Sequence, residues 1–235
     1  MASSWNIERV GEVAVLSLDD GKANVVMVPE FEGLELALDQ VEQSDARAVV
    51  LTGRPGYFSA GLNVKVLPTL STEDRATLIA ALGRAALKLF LFPRPVVAAV
   101  CGHALGAGAM LALAADLRIF ADGSYKFGLN EVPAGIFVPS FGVELAAAAV
   151  SSSRLTELVI HGRVLSPMEA LAMHVVEAVH APEALRAAAL MRARGLGQLS
   201  GAGYALTKRL VRRPVAERAL LQLPGELEEL ARTLR

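Results

Sequence analysis

The spacing of apolar residues along the first half of the chain predicts short strands that alternate with helices. Two apolar runs on either side of Gly11-Glu12 predict an N-terminal hairpin. A helix is predicted to begin at Pro29, because the apolar residues that follow recur with helical spacing: Phe31, Leu34, Leu38 and Val41. The stretch 48–52 is almost uniformly apolar, which is typical of a parallel strand covered on both faces.

Similar patterns continue through residue 120. Ser71 and the acidic residues after it resemble the capping box at the start of a helix, and Pro93 ends that helix. The other elements are predicted as a loop, a strand, a helix and a second strand, in this order: 53–61, 96–101, 106–115 and 117–120. Strands and helices in this alternation give right-handed crossovers and an α/β layered core.

From Ser140 onward the pattern is almost wholly helical. The tetrapeptide 166–169, Ser-Pro-Met-Glu, places an N-cap residue, a first-turn proline and a capping-box acid at their preferred positions. A short strand or turn is expected at 175–179, and the tail is predicted to form three helices: 183–194, 201–211 and 214–234. We therefore expect a sheet-containing core over residues 1–180 and a helical region over residues 181–235.

Composition and charge exclude several classes of protein. The 235 residues are 53% hydrophobic, enough for a sizeable core without covalent cross-links. With 23 basic and 24 acidic residues the net charge is −1, so no overall field attracts nucleic acid or an anionic membrane. The single cysteine, Cys101, excludes an internal disulfide and a multi-cysteine metal site, and its place at the end of an apolar strand favours a core role.

The mean hydropathy of +0.43 raises the question of a membrane-spanning segment. The candidate is 95–115, but its β-branched start and the Gly102-His103 break favour a buried strand followed by a buried helix. The N-terminus has no apolar leader, and the last residues are not a peroxisomal signal. We therefore expect a cytoplasmic protein without a membrane or nucleic-acid partner.

Several nucleotide, hydrolase and metal motifs are absent from the sequence. The run Gly106-Ala107-Gly108 has Leu111 where a dinucleotide fingerprint needs its third glycine, and no P-loop lysine follows a glycine loop. Tyr57 stands where a serine-hydrolase elbow around Ser59 needs glycine. The four histidines have no metal-ligand spacing, so no metal is expected.

Two glycine-flanked segments, 54–63 and 102–110, follow predicted strands. Small residues let a ligand approach the backbone, and unpaired N–H groups at a helix start attract negative charge. Two such donors that point to one place would bind an oxyanion. Tight turns with close helix–sheet packing explain the same residues, and composition alone does not separate the two interpretations.

The motifs in and after these segments occur in a specific order. They are Phe-Ser-Ala-Gly-Leu-Asn at 58–63, Gly-His-Ala-Leu-Gly-Ala-Gly-Ala at 102–109, Ala-Ala-Asp-Leu-Arg-Ile at 114–119 and Phe-Gly-Leu-Asn-Glu-Val-Pro-Ala-Gly-Ile at 127–136. This order resembles the crotonase family, the enoyl-CoA hydratase/isomerase superfamily, over nearly the whole chain. The resemblance implies an α/β fold, a spiral of ββα units with a helical C-terminal region, and assembly as a homotrimer or hexamer.

The resemblance also implies an acyl-CoA substrate and a set of site residues. The backbone N–H groups of Leu62 and Ala107 would form an oxyanion hole for the thioester carbonyl. Glu131 would be the catalytic carboxylate, and six further residues would contact the substrate: Ala60, Gly61, Gly106, Met110, Pro133 and Phe137. CoA would arrive as part of the substrate, so no separate cofactor is expected.

Hydratases of this family use two glutamates, and Met110 stands at the position of one of them. A single carboxylate suffices to move a proton from C2 to C4 of a 3-enoyl-CoA. Together with the Gly-Leu-Asn-Glu-x-x-x-Gly-Ile-x-x-Pro stretch at 128–139, this favours the Δ3,Δ2-enoyl-CoA isomerases. Two alternatives remain open. One is a hydratase or other acyl-CoA lyase with a second polar group such as His103, and the other is a catalytically weak acyl-CoA-binding relative.

Other polar residues near these motifs are assigned structural or surface roles. His103 is interpreted as a hydrogen-bonded structural residue, and Asn63, which stands where many relatives carry Asp, receives no role. Arg54 lies near the first segment, and four residues predict a basic helix face: Lys208, Arg209, Arg212 and Arg213. Contact with CoA phosphates is one interpretation of these residues, and a solvated surface is the favoured one.

Overall fold

The fold is seen in a computed structural model that describes residues 4–199 and 201–233. Its strands form three sheets of six, three and two strands. The strands are β1 (Trp5–Val10), β2 (Val13–Leu18), β3 (Val25–Val26), β4 (Ala48–Thr52), β5 (Gly56–Ser59), β6 (Gly61–Leu62), β7 (Val96–Val100), β8 (Gly102–Leu105), β9 (Leu117–Ala121), β10 (Phe127–Gly128) and β11 (Ala178–His180).

The helices lie between these strands and after them. They are α1 (Val28–Glu42), α2 (Thr72–Leu91), α3 (Ala107–Leu113), α4 (Ser140–Ala149), α5 (Ser152–Leu155), α6 (Pro167–Ala172), α7 (Pro182–Gly197) and α8 (Gly201–Thr233). A 3-10 turn at Leu67–Thr69 precedes α2, and a π-helical turn at Thr156–Ile160 follows α5.

The strands and helices are arranged as a spiral. The six-stranded sheet has the order β1-β2-β4-β7-β9-β11, and all its neighbouring pairs except β1–β2 are parallel. The three-stranded sheet, β10-β8-β5, is also parallel. In three successive turns a strand of the large sheet leads into a strand of the small sheet and then into a helix, ending at α2, α3 and α4. This arrangement confirms the predicted α/β spiral of ββα units.

Helices with a strong local pattern form where the sequence predicts them. All four residues whose spacing predicted α1 are buried. The Ser71 hydroxyl accepts a hydrogen bond from the Asp74 amide at 3.0 Å and caps α2. At the start of α6, Ser166 and Glu169 form the predicted capping box. These three predictions are confirmed because each depends on interactions within a few residues of chain.

The prediction of a loop at 53–61 was wrong, because this segment contains β5 and the start of β6. The predicted strand at 96–101 ends at Val100, and the missed strand β8 follows it. These strands of the small sheets are two to four residues long and rich in glycine. Such segments carry no alternation of apolar and polar residues, and only pairing with strands distant in sequence makes them extended.

The prediction of three helices in the tail was also wrong. After α7, a single helix, α8, covers 201–233 and continues through Pro214 and Pro224, and the predicted end at residue 234 lies outside the described residues. A proline inside a helix costs about 3 kcal/mol. Along α8, however, three buried side chains pack against the core: Ala216, Ala219 and Leu223. This tertiary packing outweighs the local cost of the prolines.

The large sheet is covered on both faces. One face joins α1, α2 and α3 in the main core, and the other face packs against Leu185, Ala189 and Ala193 of α7. Among residues 4–199 and 201–233, no helix is both long enough and apolar enough to cross a membrane. The apolar stretch at 95–115 is divided between β7, β8 and α3, as its glycines and β-branched residues predicted.

The predicted solvated basic face on α8 is wrong for two of its residues. Lys208 is 7% exposed, and its Nζ lies 2.7 Å from Asp116 Oδ2. The Arg212 guanidinium lies 3.1 Å from Asp116 Oδ1 and 4.3 Å from the Phe90 ring centroid. These contacts attach α8 to the core, so the two cations are not available to CoA phosphates on a free surface. Arg213 does lie on the exposed side, where it pairs with Glu217.

Candidate active site

A cavity of about 90 Å³ lies where β6, α2, α3 and the segment after β10 meet. Seven of the nine residues predicted for the site line it: Ala60, Gly61, Leu62, Gly106, Ala107, Met110 and Glu131. They come from three separate turns of the spiral, each at the point where a strand of the small sheets ends. The fold therefore brings the two glycine-flanked segments and the predicted carboxylate to one place.

Glu131 is the ionisable side chain of this cavity. It is only 8% exposed, and its Oε2 atom has no hydrogen-bond partner among the described residues. Burial disfavours the charged carboxylate and raises the pKa of Glu131 to about 7. A carboxyl group with this pKa exchanges a proton readily near neutral pH, which suits a general base that also returns the proton as an acid.

Two glycines allow the three segments to approach one another. Gly61 has φ +85°, and a Cβ atom there would lie 2.5 Å from the Leu105 carbonyl oxygen. Gly106 has φ +53°, and a Cβ atom there would lie 3.2 Å from Glu131 Oε1. A larger residue at either position would adopt a strained backbone; at 61 it would also clash with the Leu105 carbonyl, and at 106 it would crowd the Glu131 carboxylate. Gly61 and Gly106 are thus explained by close approach at the cavity.

Leu62 and Ala107, whose backbone amides are the predicted donors, both line the cavity. Ala107 is the first residue of α3, so its N–H has no acceptor inside the helix. A Cβ atom added to Gly61 would lie 3.4 Å from the Ala107 nitrogen. The strand β6 therefore lies directly beside the start of α3. This proximity is compatible with two donors for one oxyanion, and their role as an oxyanion hole remains a prediction.

Most of the other residues that line the cavity are apolar. Met110 is 1% exposed and packs near Gly142, where a Cβ atom would meet the Met110 sulfur at 3.2 Å. The thioether has no group that could ionise or activate a water molecule. Glu131 therefore has no second carboxylate beside it among the residues that line this cavity.

A larger apolar groove of about 370 Å³ adjoins the cavity. Four residues line both spaces: Leu62, Leu67, Ile79 and Ile136. Ile79 belongs to α2, and the spacing of apolar residues along this helix does not indicate that it faces a ligand space. Core positions and cavity-lining positions on a helix have the same spacing, so only the tertiary structure separates them.

Two predicted substrate-contacting residues lie outside this cavity. Pro133 packs beside Gly162, where a Cβ atom would lie 2.3 Å from the proline ring, and Phe137 is 39% exposed. The Ile136 amide donates to the Glu131 carbonyl at 3.0 Å, and in this turn Ala134 and Ile136 line the cavity while Pro133 does not. Asn130, which was not predicted, lines the cavity instead.

His103 and Asn63 have structural positions. The His103 ring lies between those of Tyr57 and Tyr125, with centroid distances of 5.4 and 5.6 Å, and does not line the cavity. Asn63 Oδ1 accepts a hydrogen bond from the Lys65 amide at 3.1 Å and stabilises the turn after β6. His103 therefore does not supply the second polar group of the hydratase alternative. Within residues 4–199 and 201–233, no group of three or more His, Cys, Asp or Glu side chains is placed to hold a metal.

The buried Glu131 carboxylate lies beside Gly106, the residue before α3. This arrangement on a spiral of ββα units is typical of the crotonase class of enzymes. Comparison with family models gives the same result, because residues 8–233 match the enoyl-CoA hydratase/isomerase model. The chain belongs to the enoyl-CoA hydratase/isomerase family.

Solved structures support this assignment over almost the entire chain. An enoyl-CoA hydratase/isomerase family protein from Pseudomonas syringae is 31% identical, with a TM-score of 0.89 and coverage of 99% of this chain and 98% of that one. Human mitochondrial Δ3-Δ2-enoyl-CoA isomerase is 26% identical, with a TM-score of 0.94 and coverage of 99% and 92%.

Curated relatives are named as hydratases. A probable enoyl-CoA hydratase of Mycobacterium tuberculosis is 35% identical over 166 residues, which are 70% of this chain and 63% of that protein. A putative enoyl-CoA hydratase of Thermus thermophilus is 34% identical over 220 residues, 92% of this chain and 83% of that protein. The match to the first of these relatives thus spans less than two thirds of its length.

Proposed function

We propose that the protein isomerises 3-enoyl-CoA thioesters to 2-enoyl-CoA thioesters, with Glu131 as the proton carrier. The observation that carries the proposal is the cavity itself. Glu131 is its one ionisable lining residue among the described residues, has a pKa of about 7, and shares the space with Met110 rather than with a second carboxylate. Similarity to the human Δ3-Δ2-enoyl-CoA isomerase supports the same assignment.

In the proposed reaction the Glu131 carboxylate takes a proton from C2 of the substrate. The electrons of that C–H bond form the C1–C2 double bond of a dienolate, whose negative charge lies on the thioester oxygen. The amides of Leu62 and Ala107 donate hydrogen bonds to this oxygen and lower the energy of the intermediate. Glu131 then returns the proton to C4, so the C3–C4 double bond moves to C2–C3 and the carboxylate is regenerated.

The proposed isomerisation needs no metal, redox cofactor or water. The substrate loses and regains one proton, and its electrons move only within the enoyl group. Hydration, in contrast, requires a water molecule that is oriented and deprotonated while C2 receives a proton. The side chains that line the cavity supply one carboxyl group for these two tasks, which favours isomerisation over hydration.

Hydration is the second candidate, because the curated relatives carry that name. The test compares isomerisation of a 3-enoyl-CoA with hydration of crotonyl-CoA by one preparation of the purified protein. We expect isomerisation to have the higher kcat/KM and to be lost in Glu131→Gln, but kept in Glu169→Gln, a change of an exposed glutamate. A higher kcat/KM for hydration would refute the proposal, and tight acyl-CoA binding without any turnover would favour a binding protein.

The assembly proposed for this chain is a homotrimer or hexamer. Its support is the exposure of three leucines of α8: Leu206, Leu210 and Leu221 are 50%, 69% and 83% exposed. Light scattering coupled to size-exclusion chromatography tests the proposal, since a monomer of 24.7 kDa would contradict it.

A further inference from the structure

A buried hydrogen-bond network lies next to the segment that carries Leu62. Its central residues, Asn24 and Ser59, are 0% and 1% exposed, and neither lines the cavity. We propose that Asn24 and Ser59 are positioning residues that hold the Leu62 amide in the direction needed to bind the thioester oxygen. The inference rests on the proposed function, because it assigns that oxygen to the Leu62 amide.

Asn24 joins the turn before β3 to two strands. Its Nδ2 atom donates to the Leu18 carbonyl at 2.7 Å and lies 3.0 and 3.2 Å from the carbonyls of Tyr57 and Phe58. Its Oδ1 atom accepts from the Asp20 amide at 3.1 Å. The backbone of Asn24 has φ 52°, a conformation that asparagine tolerates better than most residues. These bonds fix the direction of the Asn24 carbonyl.

Ser59 connects that carbonyl to β6. The Ser59 hydroxyl donates to the Asn24 carbonyl at 2.7 Å and accepts from the Gly61 amide at 3.1 Å. Pairing of β6 with Val25 and Val26 of β3 keeps the segment extended. The bond from the Gly61 N–H to Ser59, together with this pairing, fixes the backbone immediately before the Leu62 N–H.

Ser59 also contacts α3, which carries the Ala107 amide. A Cβ atom on Gly108 would lie 2.4 Å from the Ser59 carbonyl oxygen and 2.7 Å from the Ser59 Cβ. The start of α3 thus rests directly on Ser59. Ser59 therefore contacts both segments that carry the proposed donors: β6 through the Gly61 amide and α3 through Gly108.

The variant Ser59→Ala tests this role, since it removes the acceptor of the Gly61 amide and leaves every cavity-lining residue unchanged. Loss of one oxyanion-hole donor lowers kcat by about 10²–10³-fold, so a misdirected donor should lower kcat by roughly 10–100-fold. We expect KM to change little, because the lost interaction acts mainly in the transition state. The control, Thr52→Val, removes a hydroxyl that donates to the Ala99 carbonyl at 3.0 Å and should keep the wild-type kcat.

A second measurement does not depend on turnover. Acetoacetyl-CoA can lose a proton to form an enolate, whose ultraviolet absorption reports ionisation, and an oxyanion hole favours that enolate. In Ser59→Ala the apparent pKa of bound acetoacetyl-CoA should rise by about one to two units relative to the wild type, which matches the expected 10–100-fold loss. A merely structural role of Ser59 would lower the melting temperature and leave this pKa unchanged, as we expect for Thr52→Val.

The results for Ser59→Ala and for the wild type distinguish the positioning role of Ser59 from the proposed isomerase function. Wild-type kcat and enolate ionisation in Ser59→Ala would overturn the positioning role and leave the isomerase assignment intact. A wild-type protein that ionises acetoacetyl-CoA without isomerising 3-enoyl-CoA would overturn the assignment, and the enolate measurement would still decide the role of Ser59. If the wild type does not favour the enolate, the positioning role is refuted as well. Should Ser59→Ala not fold, Asn24→Gly replaces it, because glycine keeps the positive φ and removes only the side chain.

Discussion

Replacement of Glu131 by glutamine should stabilise the protein while it removes activity. Glutamine has nearly the same shape but carries no charge, so it avoids the desolvation that the buried carboxylate suffers. In the folded protein the pKa of Glu131 is raised from 4.5 to about 7. One pKa unit corresponds to about 1.4 kcal/mol, so the ionised carboxylate lowers the free energy of unfolding by roughly 3 kcal/mol.

The sign of the pH dependence follows from the same values. Because the folded-state pKa lies above the unfolded-state pKa, the unfolded chain releases the proton first as pH rises. The wild-type protein therefore keeps the full contribution of the protonated group below about pH 4.5 and loses it as pH rises through about 7. Glu131→Gln does not titrate, so its advantage over the wild type should grow across this interval and stay constant above it.

Urea denaturation at several pH values measures this difference. Trp5 is the single tryptophan of the chain and is 8% exposed, so its fluorescence reports unfolding. Between about pH 5 and 7 the advantage of Glu131→Gln should increase by about 1.4 kcal/mol per pH unit. As a control, Glu169 is exposed and its pKa is lowered to about 2 by Ser166 and Arg163, so Glu169→Gln should show no such increase.

A difference between Glu131→Gln and the wild type that does not vary from about pH 5 to 8 would refute the reasoning, since it would mean that Glu131 ionises as easily in the folded as in the unfolded chain. An ordinary pKa would also weaken the proposed mechanism, because Glu131 would then be a poor acid for the return of the proton to C4.

Three further predictions concern the proposed reaction and the fold. The kcat/KM for isomerisation should rise with pH to a plateau above about 7, because Glu131 must be ionised to take the C2 proton; a flat profile contradicts its role as base. Ala107→Pro removes one proposed donor at a helix position that tolerates proline and should lower kcat by about 10²–10³-fold, whereas Ala107→Ser keeps the N–H and should retain wild-type kcat; equal kcat values in both variants would exclude this donor. Asp116→Ala leaves the buried Lys208 and Arg212 cations unpaired and should lower the free energy of unfolding by roughly 3–5 kcal/mol in urea denaturation; a loss below about 1 kcal/mol would contradict their anchoring role.

The predictions from sequence succeeded where the physical cause lies within a few residues of chain. The positions of α1, α2 and α6 follow from apolar spacing and from capping residues, which act over one or two turns. The crotonase spiral was identified from the order of motifs, and seven of nine predicted site residues line one cavity. Local patterns did not reveal β5 and β8, whose strand geometry depends on pairing with each other.

The order of residues predicts glycines and a carboxylate at 131 near the ends of the strands, and the family resemblance adds that Met110 stands where hydratases carry a second carboxylate. The surroundings of these residues become known only from the fold. Burial gives Glu131 its raised pKa, and contact with Asp116, 92 residues away in the chain, turns Lys208 from a surface cation into a buried anchor. The physical reason is that desolvation and ion pairing depend on distance in space, which the order of residues along the chain does not specify.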